Sequence, residues 1–414
     1  KISFKKSVFL FFLSFLMTSV ERLPCDAKFT YSELKKSIPK HCFERSYVTS
    51  FLYLAVNLSL VGLSFVAALQ IDNVPFTLLR YGLWVTYWIV QGCLCTGIWV
   101  IAHEAGHGAF SPSQRVNDVV GTLLHSMLLV PYASWKFSHA SHHQHTNHLE
   151  LDEVFVPPHL SVKDEQYAQK QYQKTLALSD SMLVHSWIGR AFLIVVMLTV
   201  GWPAYLIANI SGRPYPRWAN HFSPYSPIFS SRQRFDVLVS DVALGAWIAA
   251  LYYISTLCGS MLPLVQFYVV PYLIVNFWLV LITFLQHTDE SIPHYDKSEW
   301  TWVRGALCTV DRDYGKILNI VFHHIADTHV AHHLFPKLPH YHALEATRHL
   351  SKYLGDYYRA DESPIAVALW RSFKQCIYVR DSKQAPGIFW WVSANQIAKE
   401  AKTLVKVKDL PKVE

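Results

Sequence analysis

Long apolar segments alternate with polar ones along the chain, and four of them are long enough to cross a membrane. These four segments are residues 51–70, 81–102, 237–258 and 261–286. A helix of about 20 residues rises roughly 30 Å, the thickness of the hydrocarbon core of a bilayer. Only Gly259 and Ser260 separate the last two segments, and a short loop with Pro75 separates the first two. The pattern predicts an all-α integral membrane protein with four transmembrane helices in two hairpins.

Three other apolar segments do not fit this pattern. Residues 7–20 follow a basic start, but 14 residues are short for a span, so the segment resembles a signal-peptide core or a short anchor. Residues 119–131, at 13 residues, are also short for a span, and we expect a buried or re-entrant segment there. Residues 191–210 are long enough to cross, but Gly201-Trp202-Pro203 interrupts them. None of the three is counted as a crossing.

Composition agrees with a membrane protein. Apolar residue types make up 51% of the 414 residues and charged types only 16%, as is typical of polytopic membrane proteins. The net charge of +7 is spread along the chain without a basic block, so no nucleic-acid partner is predicted. The seven cysteines are irregularly spaced, and Cys93 and Cys95 lie inside an apolar segment. We therefore predict neither a disulfide framework nor a zinc ribbon.

Histidines form three short clusters. They are His103 with His107, then His139, His142 and His143, and finally His329, His332 and His333. Residues three and four apart share one face of a helix, so each cluster can direct two or three imidazoles at one point. Eight imidazoles exceed the four ligands of a zinc ion and suit two ions of Fe, Cu, Ni or Zn. The sequence predicts a two-metal centre, with all three clusters on one side of the membrane.

Several residues close to the clusters are candidates for supporting roles. His287 ends the fourth apolar segment, as His103 follows the second, and it is either a ninth ligand or a helix cap. A ligand imidazole usually donates its other ring N–H to an acceptor. The candidate acceptors, with the last one favoured, are Glu104, Asp152, Glu153 and Asp327. The histidines interpreted as structural are His125, His145, His148, His323 and His324.

The first cluster also allows a different class of protein. His103-Glu104-x-x-His107 matches the H-E-x-x-H motif of zinc proteases, in which Glu104 would be the general base. An intramembrane protease would leave six clustered histidines without a role. A metal transporter would place its ligands at the bilayer midplane, whereas these histidines follow the ends of spans. A centre at the membrane surface favours an enzyme that acts on a lipid whose acyl chain lies in an apolar tunnel.

The order and spacing of the three clusters resemble those of the membrane fatty acid desaturases. Several longer segments resemble the plant-type microsomal delta-12 (oleate) desaturases in particular. They are residues 93–104, 152–157, 211–215, 285–288 and much of 304–342. The resemblance covers roughly residues 22–392. It implies a membrane desaturase domain at residues 51–392, between an N-terminal segment (1–50) and a tail (393–414).

The resemblance also implies an activity and its partners. Such enzymes are non-haem di-iron desaturases of the endoplasmic reticulum membrane that use O2 to insert a cis double bond at delta-12 of oleoyl chains, typically on phosphatidylcholine. Electrons come from cytochrome b5 and its NADH-dependent reductase, and cytochrome b5 would be a separate protein because the sequence holds no His-Pro-Gly-Gly haem motif. In the related stearoyl-CoA desaturases a histidine outside the clusters joins the ligands, which supports His287. Four arginines at 213, 217, 232 and 234 favour a cytoplasmic active site.

Two departures from the delta-12 pattern leave the position of the double bond open. Gly108 follows the first cluster at a position where the delta-12 subgroup often has histidine and the omega-3 relatives have glycine. Ala140 and Ser141 stand in the second cluster where plant enzymes usually have two arginines. An omega-3 desaturase or an acyl hydroxylase on the same scaffold is therefore the alternative within the class.

Overall fold

A computed structural model describes residues 21–160, 186–393 and 396, so the apolar segment 7–20 lies outside the described residues. The helices in residues 21–160 are α1 (Tyr31–Lys36), α2 (Tyr47–Ala68), α3 (Thr77–His107), α4 (Gln114–Met127) and α5 (Tyr132–His145). Those in residues 186–393 are α6 (Trp187–Ala208), α7 (Arg234–Leu257), α8 (Leu262–His287, with a π-helical turn at Val265–Val269), α9 (Trp302–Leu307), α10 (Lys316–Val321), α11 (His329–Leu334), α12 (His340–Leu354) and α13 (Ile365–Gln375).

Five described helices are long and apolar enough to cross a membrane. Helices α2, α3, α7 and α8 correspond to the four predicted spans. The fifth is α6, which continues through Gly201-Trp202-Pro203 instead of breaking there. Proline costs one backbone hydrogen bond, and apolar helices tolerate this loss when neighbouring helices support them. Length and composition alone therefore do not single out four crossings.

Close contact between α3 and α8 brings the ends of two predicted spans together. A Cβ atom on Gly92 would lie 2.4 Å from Cγ2 of Ile274, so only glycine permits this approach. One turn earlier, the indole N–H of Trp88 donates to the carbonyl of Gln266 at 2.9 Å. The two helices thus run side by side up to the histidines that end them.

The segment at 119–131 is largely buried, in agreement with the prediction of a buried or re-entrant segment. Its residues up to Met127 lie in α4, an amphipathic helix whose Val119 and Leu123 are exposed while Asn117 and Leu124 are buried. The spacing of four residues between Val119 and Leu123 puts both on one face. An apolar outer face over a polar and aromatic inner one suits a helix that lies along a membrane surface.

The prediction of an all-α chain was also incomplete, because the mostly helical structure includes two small sheets. Strands β1 (His159–Leu160), β5 (Tyr378–Asp381), β6 (Ile388–Val392) and β2 (His294–Tyr295) form one sheet in that order. Strands β3 (Asp311–Arg312) and β4 (Ala360–Asp361) form the other. Within the first sheet β1 and β5 are parallel, whereas β6 is antiparallel to both of its neighbours. This sheet ties the chain after the second histidine cluster to the chain after His287.

The N-terminal segment packs onto the domain that carries the third cluster. Leu34 and Cys42 are fully buried against Leu307, Leu334 and neighbouring apolar side chains. The backbone N–H of Leu23 donates to the carbonyl of Ser291 at 2.8 Å. The third cluster thereby lies inside a packed core that includes residues from both ends of the described chain.

Candidate metal centre

The first histidine cluster occupies the last turn of α3. The helix ends immediately after His107 because Gly108 adopts a left-handed conformation, with φ of +73°. A residue with a Cβ atom is strained in this conformation, whereas glycine adopts it freely. Gly108, which departs from the delta-12 pattern, is therefore the residue that stops the helix at the cluster.

The other predicted ligands come from three further helices. The second cluster lies on the C-terminal half of α5, the third forms most of the short helix α11, and His287 is the last residue of α8. All six residues of α11 are buried. The structure brings all nine predicted ligands into one region at the ends of α3, α5 and α8.

The nine imidazoles divide into two groups. In the first group the potential ligand atoms of five residues lie within 4.8 Å of one another: His103, His107, His139, His143 and His332. In the second group those of three residues do so: His142, His287 and His333. His329 belongs beside the second group, because its Nε2 atom lies 3.1 Å from Nε2 of His287.

The division corrects our expectation that each cluster points at one place. His139 and His143 are four residues apart on α5 and share a face, whereas His142 lies about 100° away from His143 around the helix axis. On α11, His329 and His333 share a face in the same way, and His332 points elsewhere. A cluster of the form H-x2-H-H thus serves two metal positions at once.

The ring atoms that face one another fit a pair of metal ions. Nε2 of His103 lies 3.0 Å from Nε2 of His139, which lies 3.2 Å from Nε2 of His143. In the second group, Nε2 of His142 lies 3.3 Å from Nε2 of His287. Lone pairs of neutral imidazoles repel at such distances unless a positive charge lies among them. The buried Nε2 atoms of His332 and His333 have no hydrogen-bond partner in the described part of the chain.

Hydrogen bonds donated by Nδ1–H groups fix three of the rings. Nδ1–H of His142 donates to Oδ1 of Asp152 at 2.7 Å, and Nδ1–H of His329 donates to the carbonyl of Ile325 at 3.1 Å. The hydroxyl of Thr146 donates to the carbonyl of His142, so its oxygen accepts from Nδ1–H of His333 at 3.1 Å. Each bond leaves the lone pair on Nε2 free for a metal, the arrangement usual for ligating histidines.

The acceptor that we favoured from sequence was wrong. Asp327 pairs with His324 at 2.9 Å and not with a predicted ligand. Glu153 binds Tyr215 and lies 3.5 Å from Arg213. Asp152 is the candidate that hydrogen-bonds a predicted ligand, and Oε1 of Glu104 lies 3.8 Å from Nδ1 of His103. Thr146 and the carbonyl of Ile325 were missed, although Thr146 stands four residues after His142 and so on the same helical face.

Burial keeps five of the imidazoles on α5 and α11 neutral. It lowers the pKa of His329 to about 3. Burial, together with the charge of neighbouring histidines, holds the pKa of four more rings well below the usual value: His139, His143, His332 and His333. A neutral imidazole is the form that ligates a metal. At physiological pH these rings are ready to bind metal without first losing a proton.

The five histidines interpreted as structural lie outside both groups. His125 packs between Trp99 and Trp135. The rings of the other four contact nearby polar groups, namely the carbonyl of Ser141 (His145), the N–H of Glu150 (His148), the amide of Asn57 (His323) and the carboxylate of Asp327 (His324). These partners leave them as part of the packing around the centre.

An apolar cavity leads away from the centre between α3, α6 and α8. Its empty volume is about 1180 Å³, including the space at its open mouth. Histidines of both groups line one end, and apolar residues line the rest, among them Met197, Trp202, Leu279, Val280 and Phe284. Helix α6, which sequence reasoning had set aside, supplies one wall. Gly201 and Trp202, which belong to the interruption noted in the sequence, both line the cavity.

The geometry does not fit the zinc-protease interpretation. His103 and His107 share their group with three further histidines, which exceeds the three protein ligands of a catalytic zinc. Oε2 of Glu104 accepts the backbone N–H of His340 at 3.0 Å, and Oε1 lies 3.8 Å from Nδ1 of His103, so the carboxylate lies on the side of that ring away from its Nε2 atom. A general base for an attacking water is therefore missing from the place where a protease needs it.

Comparison with known proteins identifies a family and several similar sequences. Residues 82–363 match the family described as fatty acid desaturase. The chain is 51% identical over 358 residues to the Delta(12) fatty acid desaturase of Mortierella alpina (86% of this chain, 89% of that one). It is 50% identical over 367 residues to the omega-6 fatty acid desaturase, endoplasmic reticulum isozyme 1, of Glycine max (88% and 90%). It is 48% identical over 365 residues to the oleoyl-12-hydroxylase of Ricinus communis (88% and 90%). On this evidence the chain belongs to the fatty acid desaturase family.

Proposed function

We propose that the chain inserts a cis double bond at delta-12 of oleoyl chains bound to membrane phospholipid, which yields linoleoyl chains. The observation that carries the proposal is the apolar cavity that opens onto histidines of both groups. Its walls suit an acyl chain, and its inner end holds the chain's methylenes beside the metal ligands. The names of the fungal and soybean relatives support delta-12 as the position.

The nine histidines would hold two iron ions, five imidazoles at one position and four at the other. When bound, the iron would supply O2 chemistry strong enough to oxidise an unactivated methylene pair. In balance, the acyl chain gives up two hydrogen atoms, a reductant gives two electrons, and O2 with two further protons becomes two water molecules. The residues of the chain orient the ligands, position the methylenes and exclude water.

The cavity predicts the effect of a larger side chain at Gly201. A Cβ atom there would lie 3.5 Å from Cγ1 of Val280, an ordinary contact, so Gly201→Ala fits without movement. The side chain of Gly201→Leu must occupy the cavity itself, and we expect oleate conversion to fall by roughly 10-fold or more. Iron content stays at the wild-type level, because Gly201 contacts no ligand. Equal conversion by both variants would contradict the placement of the acyl chain.

We place the histidine side of the molecule in the cytoplasm, with four crossings by α2, α3, α7 and α8. The hydroxyl of Tyr205, near the end of α6, lies 3.3 Å from Oγ of Ser138 on α5. The N–H of Ala133 on α5 donates to Oγ of Ser240 near the start of α7. Both contacts support a connection between α6 and α7 on the histidine side.

The chain lies on the histidine side both before and after α6, which favours an incomplete crossing for this helix. The chain at His159 pairs with Val379 in the sheet that holds His294, on the histidine side. If α6 crossed, residues 161–185 would have to cross as well, yet they contain six Asp, Glu or Lys residues. Such a composition is costly in a bilayer. The arginines of the connection between α6 and α7 then face the cytoplasm, in agreement with the positive-inside rule.

Glycosylation tests this topology. An acceptor at exposed Tyr225 remains unglycosylated in microsomes, because the connection faces the cytoplasm. An acceptor in a spacer inserted at Gly259, between α7 and α8, is glycosylated and serves as the positive control. Sugar on the site at 225 would contradict the proposed orientation.

The endoplasmic reticulum is the proposed compartment, supported by the name of the soybean relative. Cytochrome b5 and its NADH-dependent reductase are the proposed electron donors, and phosphatidylcholine-linked oleoyl is the proposed substrate. Each follows from the family resemblance.

Expression in yeast, which makes oleate but no linoleate, tests the activity. We expect linoleate in the lipids of expressing cells and none in cells that carry His142→Ala. Linolenate from fed linoleate, with no linoleate from oleate, would identify an omega-3 enzyme. A 12-hydroxy product would favour the second candidate, an oleoyl hydroxylase, which the relative from Ricinus communis keeps open.

A further inference from the structure

A second cluster of potential metal ligands lies at the surface, away from the two histidine groups. It joins the short 3-10 turn Lys40–Phe43 of the N-terminal segment to the first two turns of α12. The ligand atoms of four residues lie within 4.8 Å of one another: His41, Cys42, His342 and Glu345. They come from parts of the chain about 300 residues apart, so the fold alone brings them together.

The distances suit a tetrahedral site. Nε2 of His41 lies 2.9 Å from Oε2 of Glu345 and 3.7 Å from Sγ of Cys42. Zinc bonds of about 2.0–2.3 Å in a tetrahedron place ligand atoms roughly 3.3–3.7 Å apart. Small side-chain rotations at this half-exposed position would bring the four atoms to that spacing.

The donor set also matches the charge of a zinc ion. A thiolate and a carboxylate contribute two negative charges, and two neutral imidazoles complete four ligands without adding charge. Thiolate and imidazole together are the donors typical of zinc sites in proteins. An ion pair between His41 and Glu345 alone would not require Cys42 and His342 to face the same point.

We propose that His41, Cys42, His342 and Glu345 bind one zinc ion that fastens the N-terminal segment to α12. Cys42 itself is fully buried in the core that holds the third histidine cluster. A second tie lies nearby, since the N–H of Ser46 donates to the hydroxyl of Tyr341 at 2.8 Å. The ion is structural, because four protein ligands leave no open position for chemistry.

Titration with Co²⁺ tests the site in the full-length, iron-loaded protein in detergent. Cobalt bound by a thiolate absorbs in the near ultraviolet, and the iron centre consists of imidazoles. None of the other cysteines in the described residues belongs to a group of potential ligands. We expect a thiolate band that saturates at about one Co²⁺ per chain. It disappears in Cys42→Ser and remains in Cys258→Ser, a control at an exposed cysteine.

Two surface variants keep the test decisive if Cys42→Ser does not fold. His41→Ala removes an exposed ligand and is expected to weaken Co²⁺ binding at least 10-fold, whereas His349→Ala, exposed on the same α12, leaves it unchanged. Zinc should raise the thermal unfolding temperature of the wild type and of His349→Ala, but not that of His41→Ala. Absence of the band in the wild type, or its persistence without loss of affinity in His41→Ala, would overturn the proposal.

Discussion

Replacing His332 by alanine, or His142 by alanine, abolishes desaturation and removes iron from the protein. His332 belongs to the group of five and His142 to the second group. Each substitution removes one ligand and opens its position to water, which weakens the binding of iron. We expect a loss of activity beyond the 10–100-fold that changing a ligand's hydrogen-bond partner typically causes. Product analysis in yeast and iron content of the purified protein measure the two effects.

A histidine on the same helix provides the control. His145 lies two residues beyond the second cluster, and its Nδ1–H donates to the carbonyl of Ser141. His145→Ala is expected to keep two irons per chain and near-normal activity. Full activity in His332→Ala or His142→Ala would contradict the proposed ligand set, as would an equal loss in His145→Ala.

Replacing Asp152 by asparagine gives the second-largest expected effect. Oδ1 of Asp152 accepts Nδ1–H of His142 and the N–H groups of Val154 and Phe155, and Oδ2 accepts the N–H of Asn147. An asparagine has one oxygen and would turn an NH2 group toward one of these donors. Activity should fall about 10–100-fold, with iron content falling toward one per chain because only the second group loses its support.

Asp327→Asn is the matched control for this prediction. Asp327 is also a carboxylate near a cluster, but its partner is His324, which is not a predicted ligand. Iron content and activity should remain near those of the wild type. The proposed role of Asp152 would be wrong if both variants lost iron equally, or if Asp152→Asn kept both ions.

Hydropathy alone predicted four helices, and two of them, α3 and α8, carry predicted ligands of the centre. The four apolar segments became α2, α3, α7 and α8, and the histidines at the ends of α3 and α8 lie where those helices meet. This part was predictable because a span needs about 20 apolar residues and because ligands of one centre must converge.

The parts that sequence missed depend on tertiary contacts. Pro203 marks a weak point in a helix, but whether the helix continues depends on its neighbours, and here α6 continues and lines the cavity. Strands of two to five residues are too short for a reliable alternation of apolar and polar positions. The choice of Asp152 over Asp327 depends on how the loop after α5 folds back onto His142.

The division of the histidines into two groups was predictable from sequence only in part. Helical geometry dictates that His142 and His143 point in different directions, and spacing alone could have predicted that. Which direction belongs to which ion depends on how α5 and α11 are rotated against α3 and α8. Only the assembled helices fix that.

An anomalous difference map at the iron absorption edge tests the central claim most directly. Crystals of the iron-loaded enzyme should give two peaks per chain at the end of the apolar cavity. One peak is expected among His103, His107, His139, His143 and His332, and the other among His142, His287, His329 and His333. A single peak, or a signal at the zinc edge between His103 and His107 without iron, would contradict the two-iron account.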